Sequence, residues 1–135
     1  MLTNMRICSN VPAQSIVQTA LGGHQSVNDY LVPGGRLYEQ REYIYEALNA
    51  IDGISAVKPK AAFYIFPKIN TKKFNIHNDE QFALDLLHDE KLLIVQGTGF
   101  NWKDPDHFRV VYLPRVEVLK GAVEKMTNFF SYYRQ

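Results

Sequence analysis

Near the C-terminus, "DPDHFRVVYLPR" sets one arginine inside a run that reads as a buried strand. Alternation puts Phe108, Val110 and Tyr112 on one face of a sheet and Arg109 on the other, with Val111 and Leu113. Both faces are apolar. A guanidinium stays charged in a protein, and a charge among apolar neighbours is costly unless something pairs with it. It can offer two parallel hydrogen bonds to a carboxylate, a selectivity that lysine lacks. Two readings stay open on these residues: a structural ion pair with an acid of this chain, or a ligand site. The loop before the strand favours the second, because a Gly-rich turn and the aromatics Phe100 and Trp102 would wall a pocket for a small carboxylate.

Other residues that could do chemistry carry weaker patterns. Asp104, Asp106 and His107 include metal-ligand types, but a short Pro-containing loop is expected to be a solvated turn. We therefore assign no metal and no catalytic residue. His24, His77 and His88 lie in loop or helix-end contexts without a nucleophile or carboxylate pattern, and read as surface residues. Cys8 has no signature of an activated thiolate around it and reads as a small packed hydrophobe. "PKINTKKF" reads as a solvated basic edge, and "GTGF" lacks the further glycines and the following helix of a phosphate loop.

The elements that must position these residues follow from periodicity. Asn10 is a cap and Pro12 a first-turn residue for a helix through "AQSIVQTAL", which stops at Gly22-Gly23. Pro33-Gly34-Gly35 breaks the chain. A second helix then presents Leu37, Arg41, Ile44, Tyr45 and Leu48 on one face. "ISAVKP" and "AAFYIFPKI" read as two paired strands. "NDEQFALDLLHDE" reads as a capped helix with Phe82, Leu86 and Leu87 as its stripe. "KLLIVQ" and "HFRVVYL" are strands flanking "GTGFNWKDPD", and Leu119, Ala122, Val123, Met126, Phe130 and Tyr133 recur at helical spacing. Helices interleaved with strand pairs predict an α/β fold, a two-layer α/β sandwich with helices on one sheet face.

With 135 residues, one core is expected. Fifteen Lys and Arg against 14 Asp and Glu give a net charge of +1, so no basic field favours nucleic acid or anionic lipid. No apolar run approaches the roughly 20 residues that span a bilayer, and "MLTNMRICSN" has no signal-peptide core. The cytoplasm is the expected location, in keeping with a single cysteine.

"YEQREYIYEAL", "GISAVKPKAAFYIFPKI", "LLIVQGTGFN" and "HFRVVYLP", in this order, resemble the C-terminal part of class I, fold-type I pyridoxal-phosphate aminotransferases, most of all the bacterial glutamate–pyruvate (alanine) branch. The family's Pro-x-Gly-Ala-Phe-Tyr strand matches Pro59 to Tyr64, with Ala61 where glycine is usual. Its Pro-Gly-x-x-Phe turn matches Gln96 to Phe100, with glutamine where proline is usual, and its strand arginine matches Arg109. The resemblance implies that Arg109 holds the α-carboxylate of an amino-acid or 2-oxo-acid substrate. It also implies a homodimer in the full-length enzyme, with Ser9 and Asn10 near the neighbouring subunit's active site.

By the same resemblance, residues 1–25 are a remnant of the large cofactor-binding domain, a short helical segment, and residues 26–135 form the small C-terminal domain. The family's Schiff-base lysine, pyridinium-pairing acid and phosphate-binding groups lie on the large domain. None of Lys58, Lys60, Lys68, Lys72, Lys73, Lys91, Lys103, Lys120 or Lys125 sits in the family's Ser-x-x-Lys context. Pyridoxal phosphate is thus expected in the full-length enzyme and not on this chain alone, which is expected to be inactive. The rival expectation is a non-catalytic interaction or regulatory module that keeps the fold.

Overall fold

A computed structural model describes residues 9–135. Helix α1, Val11–Gly22, begins where the Asn10 side chain accepts the Ala13 N–H at 3.3 Å, and it buries none of its residues. A 3-10 turn at Ser26–Tyr30 and the Pro33-Gly34-Gly35 break lead to α2, Arg36–Asn49. Of the expected α2 stripe, Ile44 and Leu48 are buried, while Leu37, Arg41 and Tyr45 are half-buried flanks. Gln40 goes inside with them. Its Nε2 donates to the carbonyls of Leu113 (3.2 Å) and Pro114 (2.6 Å), which makes burial of this amide tolerable.

The strands depart from expectation. "ISAVKP" yields only β1, Ile54–Ser55, and "AAFYIFPKI" breaks into β2, Tyr64–Ile65, and β3, Lys68–Ile69. β1 pairs antiparallel with β3, but β2 joins a different ladder. The break falls at Pro67, which has no N–H to give a neighbouring strand. β4, Val95–Gln96, and β2 both flank β5, Phe108–Val111, antiparallel in the order β2-β5-β4. A bridge between Lys68 and His107, with the Ile69 N–H donating to the Asp106 carbonyl at 2.7 Å, links the two ladders.

A short helix not foreseen, α3 at Thr71–Phe74, closes on Asn75 in the left-handed region at φ 54°. α4, Asp79–Glu90, starts at Asn78, whose side chain accepts the N–H groups of Glu80 and Gln81. It buries Phe82, Ala83 and Leu86; the expected Leu87 lies outside the stripe and is exposed. α5, Val116–Tyr132, buries Leu119, Met126, Phe129 and Phe130, with Tyr133 following, while Ala122 and Val123 are half-buried.

The core lies between α2, α4 and α5 on one side and the sheet face carrying Ile65, Phe108 and Tyr112 on the other. This is the expected two-layer α/β sandwich. The Phe82 ring lies 5.8 to 6.0 Å from those of Phe108, Phe129, Phe130 and Tyr133. Tyr133 donates its hydroxyl to Asp85 at 2.7 Å, and burial together with that bond raises its pKa well above the ordinary tyrosine value. Gln135 ties the C-terminal end to the start of α4: its Oε1 accepts from the N–H groups of His77 (2.6 Å) and Asn78 (2.8 Å), and its Nε2 donates to the Asn78 carbonyl (2.7 Å). Among the described residues, no helix is long and apolar enough to cross a membrane.

Candidate functional site

Arg109 stands on the outer sheet face, on the central strand of the three-stranded ladder and opposite Val95 of β4. The register of β2, Tyr64 against Val111, brings Tyr64 onto the same face. The guanidinium carbon lies 4.6 Å from the centre of the Tyr64 ring and 4.3 Å from that of Phe100. Two aromatic contacts stabilise the cation by about 0.5–2 kcal/mol each, but they leave its in-plane N–H groups unspent. Among the described residues Arg109 forms no ion pair, and its buried Nε has no hydrogen-bond partner. A flat cation with aromatic neighbours and unspent donors suits a planar, two-oxygen acceptor.

Phe100 reaches Arg109 through a 3-10 turn, Gly97–Phe100, fixed from two sides. Towards β5, the Gly97 N–H donates to the His107 carbonyl at 2.8 Å; a Cβ on Gly97 would sit 2.8 Å from that oxygen, so the position requires glycine. Towards α4, Asp79 accepts the Thr98 N–H on Oδ2 at 2.9 Å and the Thr98 hydroxyl on Oδ1 at 2.7 Å. Asn101, at φ 58°, closes the turn by donating to the Thr98 carbonyl. Asp79 was not singled out from the sequence. In the structure Asn78 already caps α4, and the buried acid next to it serves Thr98 instead; the sequence carried no signal of this.

A cleft of about 310 Å³ beside β4, β5 and α5 is lined by aliphatic side chains, and Arg109 is the only charged residue in its wall. The glutamate-pyruvate aminotransferase of Haemophilus influenzae is 57% identical to the chain over 135 residues, which is all of this chain and 33% of that protein. The chain matches the C-terminal part of aminotransferases. A crystal structure of an aminotransferase from Escherichia coli superposes with a TM-score of 0.91 at 56% identity, covering 100% of this chain and 33% of that one. An alanine aminotransferase from Pyrococcus furiosus gives 0.82 at 41% identity, covering 96% and 32%. The chain therefore spans about a third of the length of these relatives. No protein-family model matches it.

The remaining residues of the chain fall as follows. Asp106 and His107 are not in a solvated turn: their side chains are 15% and 13% exposed. Asp106 accepts from the Trp102 indole at 2.8 Å, its Oδ1 is 2.6 Å from His107 Nδ1, and Lys68 Nζ is 3.3 Å away. The expectation failed because it considered the loop alone, whereas Phe66 of the neighbouring segment stacks on the His107 ring at 4.9 Å and excludes water. Burial works to raise the Asp106 carboxyl, but the bonds from His107, Trp102 and Lys68 outweigh it and hold it below the usual carboxylate range. Asp104 is exposed, as are His24, His77 and His88. Among the described residues, no three His, Cys, Asp or Glu side chains are grouped to hold a metal.

Ser9 and Asn10 are exposed at the start of α1, where the Ser9 carbonyl accepts from Gln14 Nε2 at 2.8 Å. Cys8 lies outside the described residues. In the "PKINTKKF" edge, Lys68 reaches Asp106, and Lys73 pairs with Asp52. The residue at 61, where the family pattern has glycine, has no positive φ; the left-handed residue is its neighbour Ala62, at φ 58°, whose carbonyl accepts the Tyr112 hydroxyl at 2.9 Å.

Proposed function

We propose that this chain carries the substrate-carboxylate site of a pyridoxal-phosphate aminotransferase that moves an amino group between an amino acid of the alanine or glutamate type and a 2-oxo acid. The observation that carries the reading is Arg109, a cation with two aromatic neighbours, a buried and unpaired Nε and, among the described residues, no ion pair. Arg109 binds the carboxylate through its fork, and that fixes the orientation of the substrate's α-carbon. Phe100 and Tyr64, each with its ring against the guanidinium, help hold the fork in place.

In this reading the cofactor-binding groups lie on the large domain, so we assign no cofactor contact to this chain. Pyridoxal phosphate, when bound, supplies the electron sink for the reaction. In this reading residues 1–25 belong with a large domain and 26–135 with the small one. Ser9 and Asn10 approach the partner's active site in a homodimer, and the enzyme works in the cytoplasm.

The test is a graft of this chain in place of the matching third of the Escherichia coli aminotransferase. The graft should convert glutamate and pyruvate, and Arg109→Lys should weaken apparent substrate binding by about 1.5–3 kcal/mol, the scale of a charged hydrogen bond, with the denaturation midpoint unchanged. The 135-residue chain with added pyridoxal phosphate should show no turnover, because in this reading the Schiff-base lysine lies on the large domain. A stability loss of about 3–5 kcal/mol with unaltered substrate binding would instead make Arg109 part of the scaffold and overturn the assignment.

A further inference from the structure

We infer that Asp79 is a positioning residue for Arg109, acting through Thr98 and Phe100. The inference rests on the carboxylate role proposed above. Asp79 is the first residue of α4, where an acid ordinarily serves the helix end, but Asn78 already accepts the first free N–H groups. The Asp79 side chain leaves its own helix and is 2% exposed. Both of its oxygens are spent on one residue, Thr98, through the backbone N–H and the hydroxyl.

That arrangement has two effects. The first is mechanical. The turn is only four residues long, its first residue is tied to His107 and its second to Asp79, and Asn101 closes it in a left-handed conformation. Those ties hold the backbone that presents the Phe100 ring to the Arg109 guanidinium, and the Phe66 ring, 6.4 Å away edge-on, supports it from the side. The plane of the fork is thereby set before a carboxylate arrives, which removes an ordering cost from binding. The second is electrostatic. The Asp79 carboxylate spends its two hydrogen bonds on Thr98 and, among the described residues, forms no ion pair with Arg109. The arginine keeps its donors for the ligand.

The experiment uses the 135-residue chain labelled with nitrogen-15, with pyruvate as the probe. Side-chain relaxation of the Arg109 Nε–H is read without ligand, and its shift is followed as pyruvate is added. Wild type should show an ordered Arg109 and a saturable response that Arg109→Lys removes. Asp79→Asn should loosen the Arg109 side chain and weaken pyruvate about tenfold, the effect of one lost charged hydrogen bond. Thr98→Ser, which keeps both bonds, should restore wild-type values. If Asp79→Asn does not fold, Thr98→Val gives the same readings with one bond removed.

A merely structural Asp79 would lower the melting temperature and leave Arg109 order and pyruvate affinity unchanged well below it; that outcome overturns the inference while the carboxylate role stands. Absence of any Arg109 response to pyruvate in the wild type overturns the carboxylate role, and this inference with it.

Discussion

Asp106 gathers donors from three directions, the Trp102 indole, the His107 ring and the Lys68 ammonium, and so ties the loop after Gly97–Phe100 to β3. Because its folded pKa is depressed, its stabilising contribution is full above the unfolded value of about 3.9 and is lost as pH falls through the lower folded value. Trp102 is the only tryptophan, so its fluorescence reports the loop. We expect an emission change below about pH 4, at acidities where the rest of the fold still holds, and expect Asp106→Asn to abolish it. An emission titration identical in the two proteins would show that the carboxylate does not hold the loop. At this scale Arg109 was legible in the sequence, because a permanent charge between apolar neighbours is anomalous wherever its partner lies. Asp79 was not. Its partner is 19 residues away, and nothing local separates it from an ordinary helix-start acid.

The four long helices were legible as elements because they carry their own evidence, the Asn10 and Asn78 caps, the Gly22-Gly23 stop, and apolar spacing sustained over 12 to 17 residues, which the four-residue α3 lacks. Strands of two to four residues carry too little pattern, and their partners are chosen by packing, so β2 and β3 were merged across Pro67 and then assigned to one pair. Among the helices α1 is distinct. Val11, Ile16, Val17 and Leu21 are all exposed, and the connection that follows exposes Val27, Leu31 and Val32 as well. An apolar surface of this kind on an isolated chain favours self-association, and a helix that buries nothing opens readily. Limited proteolysis should therefore cut first between Gly22 and Gly35, leaving 36–135 intact. Equal protection of both parts in a strictly monomeric sample would contradict this.

Across the whole molecule, stability concentrates where α4 and α5 meet the sheet, around Phe82. Its ring touches residues of β5, of α5 and of the segment after α5, so no single element can shift to fill its place. Phe82→Ala should cost about 3–5 kcal/mol, read as a lower urea midpoint with little change in slope. A cost near 1 kcal/mol would mean that the cluster can collapse into the vacancy. The same cluster draws on Phe129, Phe130 and Tyr133, and the N–H groups of His77 and Asn78, just before α4, are accepted by the Gln135 side chain. During synthesis on the ribosome, then, the earlier helices and strands emerge with their inner faces uncovered, and the nascent chain cannot close its core until translation has passed residue 135 and that residue has cleared the exit tunnel. The interval before residue 135 clears the tunnel is when the chain most needs a chaperone.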